Sequence, residues 1–149
     1  MKAIIDGIEA RILMEGGKRS RSRFVVIETF LKSKVHVTVD ELTSVVRKKF
    51  SRVGAATVYR TLKLLVRMGY ANELDFGDGS KRYESSLSAH HDHLVCTECG
   101  DVIEFKDPEI EKLQDLVTRR HGFLPEAHRL DIFGRCRLCA AEGTEGAKK

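Results

Sequence analysis

Four cysteines in two pairs, Cys96-x-x-Cys99 and Cys136-x-x-Cys139, constrain this chain more than any other feature. Two such pairs can enclose one ion with four thiolates at ~2.3 Å, closing a tetrahedral Zn²⁺ site with no open position. The pairs are separated by 36 residues, whereas a zinc-ribbon gap usually holds about 15–20. The gap must therefore contain secondary structure. Val102-Ile103-Glu104-Phe105 reads as a short strand, and Asp107-Pro108 as an N-cap and first helical residue. The following Ile110, Leu113, Leu116 and Val117 form a helical stripe expected to pack inward. Residues 127–133 alternate, with His128, Leu130 and Ile132 on one face and Arg129 and Asp131 on the other. Two disulfides or a redox pair are the competing readings. A cytosolic compartment disfavours disulfides, and one redox pair would not require a second.

A second signal, His90-His91-Asp92-His93, directly precedes the first cysteine pair. In an extended segment neighbouring side chains point to opposite faces. His91 and His93 then share one face, and His90 and Asp92 the other, so a single strand can serve two metal sites. Imidazole with carboxylate suits Fe²⁺, Mn²⁺ and Zn²⁺. Glu84, Glu104 and Glu111 are carboxylates within reach by sequence. For a lone histidine a surface role would be preferred; three in four positions beside a thiolate site argue against it.

The chain carries a net charge of +4 that hides an asymmetry. Residues 1–84 hold 17 Lys/Arg against 10 Asp/Glu, and residues 85–149 hold 9 against 12, with five of the six histidines. Such a division suggests one half that touches a polyanion and another that binds metal. In the basic half four helices are expected. The first, about 2–15, carries Ile4, Ile5, Ile8 and Ile12 and ends at Gly16-Gly17. The second, about 22–32, carries Phe24, Ile27 and Leu31, with Val25 and Phe30 alongside. The third opens on the capping box Thr38-Val39-Asp40-Glu41 and buries Leu42, Val45, Val46 and Phe50. The fourth, about 54–69, buries Val58, Leu62 and Leu65 and presents Thr57, Tyr59, Arg60, Lys63 and Arg67 on its other face. Gly77-Asp78-Gly79 then joins two short extended runs as a hairpin. Helix-turn-helix plus hairpin is a winged helix, with Tyr59 and Arg60 early in the recognition helix. Lys18, Arg19, Arg21 and Arg23 form a cluster able to track phosphates or enter a minor groove. A helical bundle with a solvated basic face would share this periodicity. No apolar run approaches the ~20 residues needed to span a bilayer. The first residues lack a secretory core, so a cytoplasmic protein with no membrane partner is expected.

Three runs carry a resemblance: Ala56-Thr57-Val58-Tyr59-Arg60-Thr61-Leu62, His90 through Gly100, and Val102 through Phe105. In order and spacing they resemble the ferric uptake regulator family of bacterial repressors, over residues 3–139. The resemblance implies an α+β fold: an N-terminal winged-helix DNA-binding domain (1–84), a hinge (85–89), and a small C-terminal α/β dimerisation domain (90–141). A disordered tail is expected at 142–149. It further implies a homodimer that binds A·T-rich pseudo-palindromic double-stranded DNA when metal-loaded.

Carried over by position, the resemblance places structural zinc on Cys96, Cys99, Cys136 and Cys139. It places a regulatory site on His36, Glu84, His91, His93 and Glu104, and an additional site on His90, Asp92, Glu111 and His128. Its base-reading residues match Tyr59 and Arg60, with Thr57 beside them, and its minor-groove basic residue matches Lys18, next to Arg19. His121 has no role in this pattern. Zinc sensors of the family often use a regulatory cysteine, and all four cysteines are already used. Peroxide sensors tend to carry aspartate where Glu84 and Glu104 stand. Glutamate at both therefore favours an Fe²⁺-responsive repressor, with Mn²⁺ or Zn²⁺ as substitutes in vitro. The alternative is a peroxide sensor in which iron promotes oxidation of His36 or His91.

Two readings of other classes share these residues. A zinc hydrolase would draw three ligands from the His/Asp/Glu cluster and leave a position for water. There is no HExxH helix and no nucleophile constellation to support it, so no enzyme and no small organic substrate are expected. A metal-storage protein would not need the basic helix face from Thr57 to Arg67.

Overall fold

Local chemistry sets most helix ends. In the computed structural model, which describes residues 1–33, 36–77 and 79–145 (142–145 as backbone alone), two compact units form, Met1–Ala89 and His90–Lys149.

The first unit starts with α1 (Lys2–Met14). Gly16 ends it at φ +83°, which favours glycine, and a Cβ on Gly17 would lie 2.8 Å from the Ile12 carbonyl oxygen, which excludes a side chain there. α2 (Arg21–Lys32) is capped by the Ser20 hydroxyl, which accepts from the Arg23 backbone N–H. α3 (Val39–Lys49) has the capping box in full: Glu41 N–H donates to Thr38 Oγ1 at 3.2 Å, and Thr38 N–H to Glu41 Oε2 at 2.7 Å. After residues 50–54, α4 (Ala55–Arg67) completes the helix-turn-helix. Arg47 Nε donates to the Val53 carbonyl at 3.0 Å and braces the turn.

The core joins Ile5, Ile8 and Ile12 of α1 to Val26, Ile27 and Phe30 of α2, Leu42 and Val46 of α3, and Val58, Leu62 and Leu65 of α4. Two residues depart from the expected stripes. Phe24 and Val45 are exposed, while Val26 and Thr43 are buried. Ile27, Leu31, Leu42 and Val46 keep the expected faces, and only their edges shift, where α2 and α3 pack against each other and both against α4. Strands β1 (Ala71–Asp75) and β2 (Lys81–Ser85) pair antiparallel as the wing. Gly77 and Gly79 both take positive φ between them; Asp78, part of the expected turn, lies outside the described residues.

The second unit is a three-stranded sheet in the order β4-β3-β5. Here β3 is Asp92–Cys96, β4 is Val102–Phe105 and β5 is Asp131–Gly134. β3 runs antiparallel to β4 and parallel to β5. α5 (Pro108–Arg120) lies between β4 and β5 in sequence, opened by the Asp107 carboxylate that accepts from Glu109 and Ile110 N–H. α6 (Arg137–Glu145) follows the second cysteine pair.

Two expectations are corrected in this unit. The α5 stripe does not pack inward: Leu113, Leu116 and Val117 are 61%, 47% and 53% exposed, and no residue of α5 is buried. An amphipathic helix needs a second layer, and the described residues of the chain supply none for this face. Leu94, Ile103 and Ile132, register neighbours across the sheet, are exposed as well. At the other end, residues 142–145 of the expected tail are helical backbone of α6; residues 146–149 lie outside the described residues. Among the described residues, no helix is long and apolar enough to cross a membrane.

Candidate metal centres and nucleic-acid interface

The four cysteine sulfurs come together with all ligand atoms within 4.8 Å of one another. Cys96 ends β3, and β5 runs beside it with Gly134 as its register partner, which delivers the second pair to the first. Cys99 and Cys136 sulfurs are 3.8 Å apart. Backbone N–H groups, that of Cys99 foremost and then that of Cys136, pull the Cys96 thiol down to about 6. The neighbouring sulfurs of Cys136 and then Cys99 push the Cys139 thiol up. One thiolate is thus favoured by its surroundings while four crowded sulfurs oppose joint ionisation. A divalent cation resolves that conflict, so the donor set fits tetrathiolate zinc. Arg135 spans the two pairs: Nε lies 2.9 Å from Glu98 Oε1, and Nη2 donates to the Cys139 carbonyl at 2.7 Å.

A second cluster joins His90, Asp92 and His128 within 4.8 Å. Glu111 of α5 reaches both imidazoles, 3.3 Å from His90 Nε2 and 3.5 Å from His128 Nε2. Asp92 has 0% exposure, and neither of its oxygens has a hydrogen-bond partner among the described residues; Glu111 Oε1 is likewise buried and unmatched. Buried carboxylate oxygens without donors are costly. Two imidazoles and the Asp92 carboxylate converging here, with Glu111 beside both rings, fit a first-row divalent cation.

On the opposite side, His91, which directly precedes β3, and His93 within it bring their ring centroids 5.0 Å apart. The β-sheet period has divided the four-residue run as expected. Glu104, the register partner of His93 on β4, lies 3.9 Å from His91 Nε2. On its other side His93 faces Asp131 of β5, whose Oδ1 is 2.9 Å from His93 Nδ1. That bond orients the buried ring. Asp131 in turn pairs with Arg129. Sequence reasoning placed Asp131 with Arg129 on the face opposite His128, Leu130 and Ile132 and gave it no role. The only available signal was an acid at strand spacing from the histidine-rich run, and the parallel pairing that aligns it is not local.

In the first unit, His36 Nε2 lies 3.0 Å from Glu84 Oε2. The cause is a backbone bridge: Val37 and Tyr83 exchange N–H···O bonds of 3.0 and 2.8 Å, which sets their neighbours His36 and Glu84 opposite each other. Asn72 Nδ2 donates to the other Glu84 oxygen at 2.9 Å.

The solvent face of α4 borders a cleft of about 410 Å³ lined by Thr57, Tyr59, Arg60, Lys63 and Arg67 of α4 together with Ser20 and Arg23. Tyr59 is 48% exposed along this cleft. The Arg23 guanidinium binds the Lys18 carbonyl and sits 3.7 Å from Glu9. Of the basic cluster read in the sequence, Arg23 is the member that lines this cleft. Arg19 lines a separate groove with Arg21, Phe24, Asp6 and Glu9, and the Lys18 side chain lines neither.

A model of the ferric uptake regulator family matches residues 14–133. The chain belongs to that family. It is 38% identical over 132 residues to the ferric uptake regulation protein of Campylobacter jejuni, covering 87% of this chain and 84% of that one. It is also similar to the peroxide operon regulator of Bacillus subtilis, 33% identical with 86% and 88% covered. The solved structure of the Helicobacter pylori ferric uptake regulator, described as having three functional metal-binding sites, superimposes with a TM-score of 0.84 at 31% identity, covering 93% of both chains. The fold is accordingly α+β, an N-terminal winged helix followed by a small C-terminal α/β dimerisation unit, in a metal-responsive transcription regulator.

Proposed function

We propose that the protein is a cytoplasmic, homodimeric, Fe²⁺-responsive repressor that binds A·T-rich pseudo-palindromic operators. The observation that carries this reading is the placement of the His36–Glu84 pair at the base of the wing, in the same unit as the α4 face. Half of a ligand set is thereby attached to a DNA-reading element. The other half, His91, His93 and Glu104, is held by the sheet of the second unit. A bound Fe²⁺ supplies a cationic point on which imidazole and carboxylate donors of both units can converge. His36 and Glu84 would hold it from the winged helix, and His91, His93 and Glu104 from the dimerisation unit, so ligation by both would restrict the hinge at 85–89. In a dimer the hinge angle sets the separation of the two recognition helices, which must match half-site spacing. Metal and DNA affinities are then linked reciprocally, with a typical coupling of ~1–3 kcal/mol.

Tyr59 and Arg60 read base edges in the major groove, and Thr57, Lys18 and Arg19 supply backbone or minor-groove contacts. Cys96, Cys99, Cys136 and Cys139 hold structural zinc, which contributes folding energy rather than sensing. His90, Asp92, Glu111 and His128 hold a further cation. The unpartnered α5 stripe and the Leu94-Ile103-Ile132 row supply the dimer interface. Family membership argues against the hydrolase and storage readings. A peroxide-sensing repressor is the second reading, supported by the similarity to the Bacillus subtilis regulator.

Anaerobic binding to an A·T-rich pseudo-palindromic duplex, titrated with Fe²⁺ and repeated after a brief peroxide pulse, tests both. Binding that requires Fe²⁺ and survives the pulse supports the iron sensor. Binding permanently lost after the pulse supports the peroxide sensor. Absence of binding with any metal overturns the DNA reading.

A further inference from the structure

The wing and the recognition helix meet at one carboxylate. Glu73 of β1 receives Lys63 of α4 at 2.8 Å on Oε2 and Lys81 of β2 at 2.6 Å on Oε1. The Tyr83 hydroxyl donates to Oε2 at 3.1 Å. Tyr83 is the register partner of Glu73, and Lys81 stands two residues away on the same strand face. Tyr83 is fully buried, so its ring aims the carboxylate, which is itself mostly buried. Lys63 stands three residues after Arg60 and four after Tyr59, on the same helix face and along the same cleft. The two ammonium groups therefore flank the surface that Tyr59 and Arg60 present.

An acid at this place opposes DNA, since phosphate neutralisation supplies essentially all of non-specific affinity. We infer that Glu73 is a specificity-determining residue: it withholds Lys63 and Lys81 from indiscriminate phosphate pairing and holds them in one orientation. This rests on the DNA-binding reading above. Free lysine side chains adapt to any docking pose. Lysines held by Glu73 suit only the pose that base contacts select, which is discrimination by an unfavourable element against the wrong partner.

The test uses the full-length dimer with Mn²⁺, an A·T-rich pseudo-palindromic duplex and a scrambled duplex of equal length, across a salt series. Glu73→Gln keeps size and one acceptor but removes one negative charge, leaving the two lysines one unit of charge less neutralised. One more phosphate engaged steepens the slope of log K against log salt by about 0.9, roughly five-fold in affinity at 0.15 M salt. The expected result is that gain on the scrambled duplex, no gain on the operator, and a five-fold lower specificity ratio. Glu73→Asp keeps the charge and should retain wild-type slopes. In a Lys63→Gln/Lys81→Gln background, Glu73→Gln should change scrambled-duplex affinity less than two-fold. A purely structural role predicts instead that Gln and Asp both weaken both duplexes together, with slopes unchanged; that result overturns the proposal. If the wild type binds and Glu73→Gln leaves the ratio unchanged, only the role of Glu73 falls. If the wild type binds neither duplex with any metal, the DNA reading and this role fall together.

Discussion

Replacing Asp92 by Asn separates a metal ligand from a residue that only shapes the fold, because the two roles predict opposite signs. Asp92 is fully buried, and neither carboxylate oxygen has a hydrogen-bond partner among the described residues; His90 Nε2 lies 3.3 Å from Oδ1. A buried, unmatched polar group costs about 1–3 kcal/mol, and a charged one more. Asn is nearly isosteric, carries no charge, and can turn its amide N–H toward His90 or toward the buried Glu111 oxygen. With the cation site empty, the substitution should therefore stabilise the protein. At the lower end of that range, about 1 kcal/mol, the melting temperature of a unit this small rises by roughly 4–8 °C. With the site filled the sign reverses. A cation at 100 times its dissociation constant stabilises the native state by about 2.7 kcal/mol, and the variant forfeits most of it.

The assay is thermal unfolding of wild type and Asp92→Asn, first with one equivalent of Zn²⁺, which the tetrathiolate takes, then with excess Zn²⁺ or Mn²⁺. Crossing curves are expected: the variant higher at one equivalent, the wild type higher in excess metal. A variant that melts lower at one equivalent and still gains the full increment from excess metal would refute the reasoning.

Four further outcomes are expected. Cys96→Ser should unfold or monomerise the protein, since structural zinc contributes folding energy directly; a folded, dimeric, DNA-competent variant on size-exclusion and gel shift would defeat the assignment. His93→Gln should leave the fold and one tightly held zinc in place while abolishing metal-dependent operator binding, read by metal analysis beside fluorescence anisotropy. Arg60→Ala should cost ~1–3 kcal/mol on the operator and relax specificity; equal loss on every sequence would make it a phosphate contact. Lys63, then Lys81 and Tyr83, hold the Glu73 carboxyl down to about 2 from an ordinary value of 4.5. A lowered acid contributes stability that is present above the unfolded value and lost as pH falls through the folded one. The melting-temperature difference between wild type and Glu73→Gln should thus be full above pH ~4.5 and shrink as pH falls toward 2. A difference independent of pH would exclude the ion pairs as its source.

Much of the fold was legible because local chemistry dictates it. The Thr38-to-Glu41 capping box and the Gly16-Gly17 stop set helix ends without help from distant residues. The division of His90, Asp92, His91 and His93 between two clusters also followed locally, since a pleated strand has a period of two wherever it pairs.

What escaped was set by register between strands distant in sequence and by layers the chain does not itself supply. Asp131 had no assigned role beside Arg129; β5 aligns parallel with β3 and sets it against His93. The wing concealed the Glu73 trio in the same way: Tyr83 is its cross-strand partner, Lys81 its diagonal neighbour, and Lys63 arrives from a helix eight residues before the strand begins. The α5 stripe has the spacing of a core helix, yet Leu113, Leu116 and Val117 stay exposed. Periodicity reports that a face is apolar and is silent on which chain covers it. In each case the sequence held the right residue types, and non-local pairing decided their chemistry: β5 gives His93 its orienting carboxylate, and the Val37–Tyr83 bridge sets His36 against Glu84.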